Sequence, residues 1–278
     1  MQRFLGVFAS DHRHLACAVA RSWPGFLPGA PGFRGRMGLG TYGGDEILLM
    51  RRPVGPDVRG DTWIPPAPGN LALFALDDSP QARFRPDTTA PWRYRNLLGV
   101  FALETPPDAG FADRLLSMVP DFLAKESRED PVEALGFRLF LSVLNDMGRL
   151  DARTVPSELL GEALRTVIRL WPRLGAAEGG VLPGLAACVT DGRSLVAGGA
   201  GLSVLVDESD GIPECTRCSE PSRSKEHDPI RVSHDEVRVV AITGGEIGPP
   251  DPRWHPLADG AVGVVDETGA FRVRSPAG

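Results

Sequence analysis

Met1-Gln2-Arg3-Phe4-Leu5-Gly6-Val7-Phe8-Ala9 opens the chain, and from Phe4 to Ala9 it is a short apolar run suited to a buried strand. Working outward, Asp11 to Arg21 reads as a short helix or loop ended by Pro24, followed by a Gly/Pro-rich loop to Gly35. Gly38-Leu39-Gly40-Thr41-Tyr42, a turn at Gly43-Gly44-Asp45 and Glu46-Ile47-Leu48-Leu49-Met50-Arg51 then give a hairpin pattern. Asn70 to Leu76 and Leu97 to Leu103 are further strand-like runs between Pro-rich or polar loops.

The middle of the chain is helical. Phe111, Leu115, Val119 and Phe122 recur at three- and four-residue spacing, with Pro120 expected to kink or shorten that helix. Asp130 as N-cap, Pro131 in the first position and Glu133 three residues after the cap start a second helix. Ser157 is expected to cap a third, amphipathic one that runs past Trp171. Strand patterns return at Ala186 to Thr190, Ser194 to Ala197, Leu202 to Val206, Val237 to Ile242, Ala261 to Val265 and Ala270 to Val273. Helices grouped between two sets of strands are not regular crossovers, so the fold class is α+β with layered sheets. A long polar loop is expected from Asp207 to Ser233, and mobile.

Composition narrows the function classes. A net charge of −6 argues against a nucleic-acid surface. No apolar run is long enough to cross a membrane, and Asp11, His12, Arg13 and His14 interrupt anything like a signal peptide. Four cysteines without a secretory signal fit reduced thiols, so a cytoplasmic location is expected.

Several motifs resemble those of the class-II, N-terminal-nucleophile glutamine amidotransferases, most closely a small stand-alone bacterial branch that includes ergothioneine-pathway amidohydrolases. The opening resembles that family's Met-Cys-Arg-Leu-Leu-Gly start. Gly38 to Tyr42 through Arg51-Arg52-Pro53 resembles its Gly-rich hairpin, and Val189-Thr190-Asp191-Gly192 with Leu195-Val196-Ala197 its late hairpin. Asp251-Pro252-Arg253-Trp254 followed by Pro256, Gly260 and Val264-Val265-Asp266 resembles its closing segment. The resemblance implies a four-layer αββα sandwich forming a single domain over residues 1–278.

At the positions the resemblance assigns to chemistry, this chain departs from the family. Gln2 stands where the nucleophilic cysteine is expected, and an amide cannot attack a carbonyl. Initiator-methionine removal generally requires a small second residue, so a free α-amine is not expected either. Leu73-Phe74-Ala75-Leu76 replaces the strand end whose arginine grips the substrate carboxylate, and Thr88-Thr89-Ala90-Pro91-Trp92 replaces the Asn-Thr-His-Pro-Phe loop. Val100, Phe101 and Ala102 occupy the oxyanion-hole stretch, and Pro131 stands for the aspartate that binds the substrate amine. Together these imply a catalytically degenerate relative without catalytic residues or cofactor, serving as a binding, scaffolding or regulatory subunit beside an active paralogue or a biosynthetic enzyme. The alternative is an amidohydrolase or ligand-binding protein with a repurposed cleft. Phe74, Trp92 and Phe101 would then fill the old cleft or leave an apolar patch there.

Residues outside the resemblance carry other options. Cys17, with His12 or His14 as base, could serve as a displaced nucleophile, although a small buried cysteine is commoner. Cys188 lies in an apolar run and reads as core. Cys215-Thr216-Arg217-Cys218, with His227 and His234 downstream, could hold zinc or form a redox-sensitive pair, which would make the chain a metal- or redox-responsive module as a further alternative, or be a plain loop. His255 reads as a turn residue, and Arg51 and Arg52 as surface charges at a strand end.

Overall fold

Gln2–Ala9 forms a strand, β1, with every residue buried, and the alternation of its side chains sorts them into two cores. The computed structural model describes residues 2–26, 34–44, 46–55, 57–66, 68–78, 84–105, 110–124, 130–175, 182–213, 215–219, 234–245 and 252–276. The further strands are β2 (Gly35–Gly43), β3 (Glu46–Val54), β4 (Leu71–Asp77), β5 (Trp92–Tyr94), β6 (Leu97–Leu103), β7 (Leu185–Thr190) and β8 (Leu195–Ala200). After them come β9 (Val204–Asp210), β10 (Arg238–Gly245), β11 (His255–Pro256), β12 (Val262–Val265) and β13 (Phe271–Arg274). The helices are α1 (Leu15–Ser22), α2 (Phe111–Ser117), α3 (Asp121–Ala124), α4 (Val132–Asp146), α5 (Ser157–Gly175) and α6 (Thr216–Ser219).

β1 occupies the middle of a seven-stranded sheet, β11-β9-β10-β1-β4-β2-β3, and the remaining strands form a six-stranded sheet, β13-β12-β8-β7-β6-β5. Every pairing between these named strands is antiparallel. Phe4 and Phe8 of β1 join the core shared with the second sheet, while Leu5, Val7 and Ala9 join the core under α1. The two sheets meet closely at Gly6, where a Cβ would come within 2.9 Å of Leu195 and 3.2 Å of the Cys188 sulfur. On the far side of the six-stranded sheet, Gly99 makes room for the Phe137 ring of α4, and Gly136 for Phe101. Phe111 of α2 stacks edge-on against Trp171 of α5 at 5.1 Å. On the outer face of the seven-stranded sheet, Trp23 and Phe26 pack with Phe74 of β4 beneath α1. The result is helix, sheet, sheet, helix: the expected α+β sandwich of four layers.

Tyr42 ties the two sheets together at one end. Its hydroxyl lies 2.9 Å from the Asn96 carbonyl and 3.1 Å from the Thr190 carbonyl, both beside strands of the opposite sheet. Burial, reinforced by the Asp191 carboxylate, holds the phenol well above its usual range, so it remains a donor at ordinary pH. Asp191 itself builds the tight β7–β8 turn by accepting from the N–H groups of Arg193 and Ser194, as hairpin chemistry requires.

The structure departs from the sequence expectations at identifiable places. Pro120 splits the first helical stretch into α2 and α3, and Phe122 is 59% exposed while Leu123 takes the buried place. Pro131, not Asp130, is the N-cap of α4, in extended backbone; Asp130 sits 3.6 Å from Arg138. Asp207 to Asp210 continue β9 and do not begin a loop, because Asp207 is buried against the Arg21 guanidinium of α1 at 2.5 Å. Of the expected loop, residues 214 and 220–233 lie outside the described residues. His255 is a strand residue, paired with Val206 at the sheet edge. Tyr42→Phe should leave a buried carbonyl short of a donor and lower stability by about 1–2 kcal/mol. A urea titration should show a lower midpoint at unchanged slope.

Candidate functional site

Gln2 shares the inner side of β1 with Phe4, so its side chain turns between the sheets. It is buried, and among the described residues its Oε1 has no hydrogen-bond partner. Asp77 pairs across from both Gln2 and Arg36 in the sheet register. The Arg36 guanidinium binds Asp77 Oδ2 through Nη2 at 2.6 Å and Nε at 2.9 Å, and its Nη1 lies 3.4 Å from Thr88 Oγ1. Residues 88–91 press directly on β2: a Cβ at Gly38 would lie 2.0 Å from the Ala90 carbonyl oxygen, so only glycine admits this contact. Arg51 holds the same loop, donating from Nη2 to the Pro91 carbonyl at 2.7 Å. It is part-buried, not the surface charge expected, and burial lowers its pKa.

What remains beside Gln2 is a cavity of about 10 Å³, lined by Gln2, Arg36, Leu76, Asp77, Thr89 and Ala90 among others. That is about the space of one water. Among the described residues that line it, the one hydroxyl belongs to Thr89, which donates to the Arg85 carbonyl at 2.7 Å. The structure thus brings Gln2, Leu76 and Ala90 together. Val100, Phe101 and Ala102 are fully buried in β6, with Phe101 turned away toward α4, and Pro131 caps that helix. Phe74 faces the α1 layer, so neither it nor Phe101 fills the space near Gln2.

Glu133 is the residue that sequence reasoning assigned only to helix capping. Burial pushes its carboxyl above the ordinary range, and the nearby Asp77 carboxylate adds to the rise against the opposing effect of Arg36. Arg36, Asp77 and Glu133 are therefore one electrostatic group, brought together from β2, β4 and α4. Nothing in the local sequence signals that meeting.

A second constellation lies at the opposite end of β1. The β1–β10 register sets Arg3 across from Gly245 and Ala9 across from Val239, so His234, just ahead of β10, falls at the Ala9 end with the start of α1. There the ligand atoms of Cys17, Cys215, Cys218 and His234 all lie within 4.8 Å of one another. Cys17 Sγ and Cys218 Sγ are 3.6 Å apart, and Cys218 Sγ is 3.5 Å from His234 Nε2. The sulfurs are too far apart for a disulfide, which needs about 2.05 Å. Burial, then the adjacent Cys215 and Cys218, raises the Cys17 thiol far above its usual range, which makes it a poor nucleophile. His14 stacks edge-on against His234 at 4.7 Å, with Nδ1 3.7 Å from Asp11. Cys215, Cys218 and His234 thus lie together, His227 lies outside the described residues, and Cys17 enters from 201 positions before Cys218. Cys188 is core, as expected.

A larger cavity of about 220 Å³, between β8, β9 and the 257–259 segment, lies at the Gln2 end of the seven-stranded sheet, two strands from β1: the Ser203 carbonyl accepts the Gly245 N–H at 3.3 Å, and Gly245 packs on the Gln2 backbone. Ser203 and Asp259 are its polar side chains, and Asp259 already accepts the Gly201 N–H at 2.8 Å. Among the described residues, no helix is long and apolar enough to cross a membrane.

Solved structures place the fold. A glutamine aminotransferase class-II domain protein of Silicibacter pomeroyi superposes with a TM-score of 0.52 at 12% identity, covering 99% of this chain and 100% of that one. A "predicted glutamine amidotransferase" from Pseudomonas aeruginosa gives a TM-score of 0.45 at 12% identity, covering 97% and 94%. Glutamine phosphoribosylpyrophosphate amidotransferase of B. subtilis gives 0.46 at 10% identity, covering 99% of this chain and 49% of that one. No protein-family model matches the chain, and no curated protein matches its sequence. At these identities the likeness is one of fold: the chain has the class-II glutamine amidotransferase fold.

Because Glu133 is held neutral more readily in the folded state, its contribution is present below the ordinary glutamate range and is lost as pH rises through the raised folded value. Glu133→Gln should therefore match the parent in stability at about pH 4 and exceed it increasingly toward about pH 7. Urea midpoints of the two proteins across that range check the sign.

Proposed function

We propose that this chain is a glutamine amidotransferase-like protein that does not hydrolyse glutamine, and that it serves as a binding, scaffolding or regulatory subunit. The observation that carries this reading is the small space beside Gln2, about 10 Å³ among the described residues, where a glutamine would have to enter. Amide hydrolysis in this fold needs a thiol or hydroxyl with a base in reach, donors for the oxyanion, and a cation for the substrate carboxylate. Gln2 offers no nucleophile. Arg36, the cation lining the cavity, is engaged by Asp77 at 2.6 Å, and the loop that would have to open is packed on Gly38 and held by Arg51.

A fold emptied of hydrolysis still offers surface. The edge strand β3 turns Leu48 and Met50 outward, 38% and 40% exposed, a feature that favours contact with another protein. An active amidotransferase-type subunit, or the biosynthetic enzyme it serves, is the partner class that fits. Because the structural likeness covers 99% of the chain, we read residues 1–278 as one such domain.

Purified protein should release no glutamate from glutamine or γ-glutamyl amides above a reagent blank. Gln2→Cys should be equally inactive, because a thiol restores neither the room nor the other groups. Millimolar glutamine should leave the melting temperature unchanged. Saturable hydrolysis that co-purifies with the chain through successive columns would overturn the proposal.

A further inference from the structure

We infer that Cys17, Cys215, Cys218 and His234 form a four-ligand zinc site that fastens the 215–219 segment and the start of β10 to α1. A tetrahedral zinc with bonds of about 2.3 Å to sulfur and about 2.0–2.1 Å to nitrogen sets its ligand atoms about 3.8 Å apart for two sulfurs and about 3.5 Å for sulfur and nitrogen. Two edges of this cluster are 3.6 Å between Cys17 and Cys218 and 3.5 Å between Cys218 and His234, with every pair inside 4.8 Å. Those two edges match a single-ion shell, and with every pair inside 4.8 Å only small side-chain movements are needed to close it on a metal. Three sulfurs and one imidazole suit zinc and disfavour calcium or magnesium, which take oxygen. Four protein ligands complete the shell, the signature of a structural site, not a catalytic one.

The surroundings position each ligand. Cys17 is fixed on α1, which Arg21 anchors to the sheet through buried Asp207. Arg217, between the paired cysteines, donates to the Asp61 carbonyl at 2.7 Å and to its carboxylate at 3.2 Å, setting α6 against the Gly60–Trp63 turn. His234 is oriented by the edge-on His14 ring, and its carbonyl accepts the Ile212 N–H at 2.9 Å. α6 has four residues, too few to persist as an isolated helix, so its place depends on anchors. Cys218 is exposed, which gives an ion a route in from solvent. On binding, Zn²⁺ replaces the thiol protons of the three cysteines, which pass to solvent, and the neutral imidazole of His234 keeps its other nitrogen protonated. This assignment is independent of the reading of Gln2.

The experiment is metal analysis of the full chain, purified under reducing conditions from zinc-supplemented cells and desalted exhaustively. One zinc per chain is expected, and the cobalt-substituted protein should show the intense visible bands and thiolate charge-transfer absorption of a tetrahedral site. Cys218→Ser and His234→Ala should each weaken zinc at least about tenfold, while Cys188→Ala, outside the cluster, should keep it. Stripping zinc from the parent should lower its melting temperature, and adding zinc back should restore it, a readout that survives if a variant fails to fold. Less than a tenth of a zinc per chain, an octahedral cobalt spectrum, a Cys17–Cys218 disulfide, equal loss in Cys188→Ala, or a melting temperature indifferent to zinc would each overturn the proposal.

Discussion

β1 is buried on both faces, and the remaining layers answer to that constraint. An apolar strand cannot leave either side to water, so Phe4 and Phe8 demand a second sheet and Leu5, Val7 and Ala9 demand a helical cover. Gly6 lets the second sheet approach within van der Waals contact, and Tyr42 bridges the sheets with its hydroxyl. The two candidate sites are consequences of the same strand. Gln2 stands at its start on the inner side, and α1, which carries Cys17, begins after its far end.

Charge at the Gln2 end is arranged to close space. Arg36 sits between β2 and β4 with Asp77, and Glu133 reaches the same region from α4. A buried cation bound by a carboxylate contributes little net stability, but removing either partner strands a charge at considerable cost. Such a group resists opening, and the glycine contact and Arg51 act in the same direction on residues 88–91. At the other end the described residues of the covering layer include one two-turn helix, short turns and a four-residue helix. The four-residue helix is too short to hold itself, which is where a cluster of three thiols and an imidazole has mechanical value.

Much of the fold was legible because local periodicity carries it. The run Leu97–Leu103 became β6 with those bounds, and the Gly38–Arg51 pattern became the β2–β3 hairpin. Short or atypical elements were not legible: Trp92–Tyr94 and His255–Pro256 owe their strand character to a neighbour's free edge and not to their own pattern. Asp207 looked like loop because it is charged, yet Arg21 compensates it inside the sheet. Phe74 and Phe101 looked like material for plugging a cleft, but strand alternation points both away from it.

By itself, the chain's order of residues determined the class of fold, the place of β1 in it, and the absence of a thiol at the position of Gln2, because these follow from local pattern and from identity at one residue. Only tertiary structure decided that the space beside Gln2 holds about one water, since that volume depends on loop 88–91 pressing on Gly38. Only tertiary structure joined Cys17 to Cys215, Cys218 and His234, because a ligand shell is a matter of distance in space, and 201 positions of chain separate Cys17 from Cys218.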